Sequence, residues 1–129
     1  MPMMRVQVVL LAVLSLAAHA YAVTPAELLK KYESQSSSAS VERGQRFFVA
    51  KQGREWSCST CHGAIPNTQG EHVETLKRIK PLAPGANQRR FTDEVKVEKW
   101  FKRNCEDVLG RECSAQQKAD VIAWLLTIN

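Results

Sequence analysis

Cys58-Ser59-Thr60-Cys61-His62 decides how the rest of the chain is read. Two thiols three positions apart can reach the two vinyl groups on one edge of a porphyrin and form thioether bonds. The adjacent histidine then turns its imidazole under the ring to ligate iron, the arrangement of a c-type haem attachment. The same CxxC spacing occurs in thioredoxin-like redox pairs and in halves of zinc sites. A redox pair normally sits on a βαβ scaffold, and no such pattern is present here. A zinc site needs a second CxxC, whereas Cys105 and Cys113 are eight residues apart. One covalently bound haem c, held by Cys58, Cys61 and His62, is the reading these exclusions leave.

Upstream, the chain opens like a secretory signal. Arg5 supplies positive charge, Val6 to Ala18 is almost wholly apolar, and Ala20-Tyr21-Ala22 places small residues at the cleavage positions. About thirteen apolar residues are too few for a bilayer, which needs roughly 20. An uncleaved anchor is the competing reading. Residues 1–22 are therefore expected to be a cleaved signal peptide and 23–129 a single domain exported to a periplasm, monomeric and without a membrane span. Removing Arg5 takes the formal charge from +5 to +4, and two haem propionates would bring it to about +2. That is a mildly basic surface and not a nucleic-acid footprint.

Secondary structure is expected to be all-α. Thr24-Pro25-Ala26-Glu27 reads as a capping box opening a helix that ends near Ser34, followed by a small flexible connector over Ser34–Ser40. A second helix is expected from about Val41 to Lys51. From Gly63 to Arg90 no period is sustained, and Pro66, Gly70, Pro81, Pro84 and Gly85 punctuate a long loop that a haem ring would organise. Thr92 is the expected cap of a helix reaching about Asn104. Ser114 with Gln117 opens a terminal helix in which Val121, Trp124, Leu125 and Ile128 fall at i, i+3, i+4 and i+7. The Lys80-Pro81-Leu82 stretch is a candidate to accept a hydrogen bond from the second ring nitrogen of His62.

The sixth iron ligand is constrained by composition. Met1, Met3 and Met4 all leave with the signal peptide, so a His/Met centre is excluded. His72 is the one spare histidine of the mature chain, ten residues past His62 in a polar loop. Asn104 is the other candidate: Val97, Trp100, Phe101 and Asn104 stand at i, i+3, i+4 and i+7, so a polar amide continues an apolar stripe. Glu98, Lys99, Lys102 and Arg103 crowd the other faces. A buried amide left unpaired costs about 1–3 kcal/mol, and iron would pair it. The competing reading is that Asn104 ends its helix. Cys105 and Cys113 remain after haem attachment; a disulfide between them would close about nine residues and contribute roughly 2.5 kcal/mol in the loop-entropy model.

Several stretches together resemble one family. Glu42-Arg43-Gly44, the Cys58–His62 motif, Pro81-Leu82-Ala83-Pro84, Arg90-Phe91-Thr92-Asp93, and Val97-Glu98-Lys99-Trp100 through Arg103-Asn104-Cys105 to Cys113 look like the sphaeroides heme protein (SHP) family. The resemblance covers nearly the whole mature chain. It implies a class I cytochrome c fold, Asn104 as the distal iron ligand opposite His62, and a Cys105–Cys113 disulfide. It also implies a dihaem cytochrome c as redox partner and a reduced form that binds small diatomic gases.

A neutral amide oxygen is a hard, weak donor suited to ferric iron, so reduction should release it and open a site for O2, NO or CO. Three functions follow: a gas-binding electron carrier, an oxidoreductase acting on O2, peroxide or NO, and a plain electron shuttle ligated by His72. No dedicated acid–base pair near Asn104 supports the second. Trp100 and Phe101 are candidates for the pocket wall or for core packing. Trp56 and Trp124 read as packing, the latter against Gly44 and Phe48. Arg89 and Arg90 are equally candidates for the propionates or for solvent.

Overall fold

The first helix, α1 (Pro25–Ser34), begins where the sequence says it should. The Glu27 N–H donates to the Thr24 hydroxyl and the Thr24 N–H donates back to the Glu27 carboxylate, at 3.2 and 2.7 Å. A computed structural model describes residues 22–129 together with Met1; the expected signal peptide lies outside the described residues. Ser40 caps α2 (Val41–Val49), two residues shorter than expected. The short helix α3 is Cys58–His62, α4 runs over Glu94–Leu109, and α5 over Ala115–Leu125. The Ser114–Gln117 capping box that opens α5 is present as expected. Among the described residues no helix is long and apolar enough to cross a membrane.

Two expectations need correction. The cap of α4 is Asp93 and not Thr92, and the helix continues five residues beyond Asn104, ending at Gly110 in the left-handed conformation. Asn104 therefore does not terminate its helix. The long loop also contains a small antiparallel pair, β1 (Gly70–Glu71) with β2 (Arg78–Ile79). Two-residue strands are too short to show alternation in a sequence. The loop is further organised by its own hydrogen bonds, since the buried Pro66 offers its carbonyl to the N–H groups of Leu82 and Ala83.

The core forms where α5 meets α1 and α2. Leu28 and Tyr32 from α1, Phe48 from α2, Val97 from α4, and Ala119, Val121, Ile122, Trp124 and Leu125 from α5 are buried together with Phe91. Trp124 packs on Phe48 with ring centroids 4.9 Å apart. The crossing of α2 and α5 is set by Gly44: a Cβ there would fall 1.9 Å from the Asp120 carbonyl oxygen and 3.1 Å from Trp124 Cβ. Only a hydrogen atom fits.

Beside this crossing lies an ion pair that sequence reasoning did not find. The Asp120 side chain is buried and accepts from Arg43 Nε at 2.8 Å, Arg43 Nη2 at 2.9 Å, the Ser40 N–H at 2.7 Å and the Gln116 amide at 3.0 Å. Burial alone would push its carboxyl up. Arg43, the Ser40 N–H and Gln116 outweigh burial and hold it below the usual range. Both carboxylate oxygens are hydrogen-bonded, three donors meeting Oδ1 and one Oδ2, which is what a buried carboxylate requires.

Two outcomes are expected. Gly44→Ala should lower stability by about 1–3 kcal/mol through overpacking, seen as a fall in Tm of the holoprotein. Asp120→Asn should lower stability by about 1–3 kcal/mol at neutral pH. A depressed folded-state pKa contributes stability above the unfolded value and loses it as pH falls through the folded value. The wild type should thus lose part of its stability below about pH 4, a component that acid titration of the variant should lack.

Candidate haem-attachment site

The attachment motif is helical because its own polar residues cap it. The Ser57 N–H donates to the Thr60 hydroxyl at 2.9 Å, the Thr60 N–H donates to the Ser57 carbonyl at 3.1 Å, and the Ser57 and Ser59 hydroxyls lie 2.7 Å apart. In that turn Cys58 and Cys61 stand at i and i+3, neighbours on one helix face. Both thiols are free and partly buried, while Cys105 and Cys113 are joined in a disulfide with Cα atoms 5.6 Å apart. The four cysteines divide as the haem reading requires.

α3 is clamped from two sides. The Phe48 ring of α2 lies 6.1 Å from the His62 imidazole. On the other side β1 approaches so closely that a Cβ on Gly70 would fall 2.2 Å from the Cys61 carbonyl oxygen and 3.1 Å from His62 Cα. Burial, with the Arg90 guanidinium nearby, pushes His62 down to about 4. Its ring is therefore neutral near pH 7, and a ring nitrogen keeps the lone pair that iron needs. Burial pushes the Cys58 thiol up to about 11. A thioredoxin-type pair needs the opposite shift, so the environment of Cys58 does not favour that reading of the motif.

Two carbonyls of the Lys80-Pro81-Leu82 stretch, the expected acceptor region for His62, take bonds from other donors. The Pro81 carbonyl accepts from Asn87 Nδ2 at 3.2 Å and from Arg90 Nε at 2.9 Å, and the Lys80 carbonyl accepts from Arg90 Nη2 at 2.7 Å. Arg89 and Arg90 thus part company. Arg89 is exposed, whereas Arg90 is half-buried and pushed down by that burial.

On α4 the apolar stripe divides. Val97 is buried and Phe101 packs on the core against Tyr32 and Phe91, at centroid distances of 6.2 and 6.4 Å. Trp100 is 42% exposed and Asn104 is exposed. Core packing therefore describes Phe101 and Trp124 but not Trp100. Trp56 is part-buried beside Arg54, Glu55 and Asp107 and stays outside the core. Cys58 and Phe101 pack against the same core, which ties the attachment turn and the Asn104 helix to one frame.

His72 is occupied locally. Its Nδ1 accepts from the N–H groups of Glu74 and Thr75, at 3.3 and 3.2 Å, and its backbone pairs with Leu76 and Lys77 in the β1–β2 turn. Glu98, read from the sequence as part of a polar face, instead bonds Tyr32 and Lys118. Its partners are 66 and 20 residues away, beyond any local pattern.

The residues present fit a c-type haem. Two free thiols for the thioether bonds, with a neutral, part-buried imidazole and an open amide as candidate iron donors, are the groups such a haem takes.

Comparison with known proteins agrees. The family described as a domain of unknown function, DUF1924, matches residues 34–125. The cytochrome c-type protein SHP of Cereibacter sphaeroides is 45% identical over 91% of this chain and 94% of its own. Cytochrome c'' of Methylophilus methylotrophus is 44% identical over 85% of each. The structure of oxidized SHP, described as an oxygen-binding cytochrome c, superposes with a TM-score of 0.76 at 42% identity, covering 82% of this chain and 98% of that one. The crystal structure of oxidized cytochrome c'' gives 0.70 at 38% identity, covering 81% and 94%. A solution structure of the same cytochrome c'', concerned with haem-ligand detachment, gives 0.68 at 39% identity, covering 80% and 92%. The all-α class I cytochrome c architecture is thereby shared. The chain belongs to the DUF1924 family and, with the Cereibacter sphaeroides protein, to the SHP-type cytochromes c.

Proposed function

We propose that this is a periplasmic monohaem cytochrome c that carries electrons and, on reduction, frees Asn104 so that a diatomic gas can bind. Cys58 and Cys61 would hold the haem covalently, His62 would ligate iron on one side and Asn104 on the other. The haem supplies the one-electron chemistry and, when reduced, an affinity for O2, NO or CO.

The observation that carries the reading is the state of Asn104. It lies within α4, not at its end, on a stripe in which Val97 is buried and Phe101 is partly buried against the core while it remains open. Mid-helix asparagine is costlier than most residues, so a partner for its amide explains its presence better than capping does. An amide oxygen has less affinity for the softer ferrous ion, so Asn104 would withdraw on reduction, and its NH2 would then be free to donate a hydrogen bond to an incoming ligand. Two relatives support this by their descriptions: SHP as an oxygen-binding cytochrome c, and cytochrome c'' through its haem-ligand detachment. The local hydrogen bonds of His72 favour this reading over a bis-histidine shuttle. A dihaem cytochrome c as electron partner follows from family resemblance.

Carbon monoxide binding to the dithionite-reduced protein tests the proposal. The wild type and Asn104→Ala should bind rapidly, and Asn104→Met should become slow or inert because a thioether keeps its hold on ferrous iron. Equal, slow binding in all three would overturn the assignment.

A further inference from the structure

α4 carries Asn104 between two fastenings. On its C-terminal side Cys105, the next residue, is bonded to Cys113. On its N-terminal side the helix is hung on a polar cluster that the haem reading does not use. The Tyr32 hydroxyl, fully buried, donates to Glu98 Oε1 at 2.5 Å. Lys118 of α5 donates from Nζ to Glu98 Oε2 at 2.8 Å and is itself only 14% exposed. The same ammonium lies 5.3 Å from the Tyr32 ring centroid and 5.7 Å from that of Phe101. Tyr32 and Phe101 meet edge to face, at 90°. Three helices are thereby joined at Glu98.

We propose that Tyr32, Glu98 and Lys118 are positioning residues for the distal ligand: they hold α4 at the height that lets the Asn104 amide reach iron. Two features of the arrangement support this. Glu98 lies six residues before Asn104, about 9 Å along the helix axis. Phe101, clasped by Tyr32 and Lys118, stands one turn before Asn104 on the same stripe. A shift of the cluster is thus passed along a rigid helix to the amide with little room for damping. The charges are consistent. Burial raises the Tyr32 hydroxyl, as does its bond to Glu98, so it stays a donor. Burial pushes Glu98 up, but Lys118 and Tyr32 outweigh it and hold the carboxylate ionised. A weak ligand is held by placement more than by bond strength, so its grip is sensitive to such a support.

The inference rests on Asn104 being the ferric ligand, and the test separates the two. Imidazole added to the ferric holoprotein competes with Asn104, so its apparent affinity reports the grip of the amide. Tyr32→Phe, which keeps the ring, and Glu98→Gln should each raise that affinity about two- to thirtyfold, the usual span of such coupling. In an Asn104→Ala background, where the amide is gone, neither change should raise it further. Lys102→Ala, on the same helix, which breaks an exposed ion pair with Glu112 of the α4–α5 connection, should leave it unchanged. A fall in Tm without a change in affinity would make the cluster merely structural and overturn the proposal. So would an equal rise in the Asn104→Ala background, which would leave the ligand assignment standing. An affinity unchanged by Asn104→Ala alone would overturn that assignment and the role of the cluster with it.

Discussion

Gly70 lies so close to the Cys61 carbonyl that no side chain fits between them, and the Phe48 ring, 6.1 Å from that of His62, completes the clamp on α3. That clamp sets where the two thiols and the imidazole point. A five-residue helix such as α3 has no stability of its own, because nucleating a turn costs more than a few hydrogen bonds return. The turn exists through Ser57 and Thr60 at its start and through packing on α2 and β1. The α2–α5 crossing supports the clamp in turn, since Phe48 is held by Trp124 and the crossing depends on Gly44.

The two sides of the haem site are held differently. The His62 side is a rigid, part-buried turn with covalent attachment points on it. The Asn104 side is a single long helix, fastened at Glu98 and Cys105 and open along part of its stripe. This asymmetry suits the proposed chemistry, in which one ligand stays and the other leaves when an electron arrives. A helix pinned at two points lets a side chain between them move without the backbone following. Small side-chain motions then do what a domain motion would otherwise have to do.

Much of this was legible in the sequence where the cause was local. The capping boxes of α1 and α5 are patterns of four residues, and each appears as expected; the attachment motif forms the short helix α3, and the stripe from Val97 to Asn104 lies on α4 but is covered only at Val97 and in part at Phe101. The C-terminal end of α4 was not legible. Asn104 followed by Cys105 reads as a stop, but burial of Val108 and the left-handed Gly110 carry the helix further. Glu98 and Asp120 were misread or missed because their partners come from 66 and 77 residues away, and no period in one helix records what another helix brings to it. The proline-rich loop was expected to need the haem for order. Pro66 supplies part of that order itself by taking two N–H groups.

In the proposed function, iron is gripped hard by His62 and lightly by Asn104. The most direct test of this claim is magnetic circular dichroism of the purified holoprotein in both oxidation states, with oxygen and other gases removed. The account predicts six-coordinate ferric iron with one nitrogen and one oxygen donor, and five-coordinate high-spin ferrous iron. A low-spin centre with two nitrogen donors in both states would contradict it.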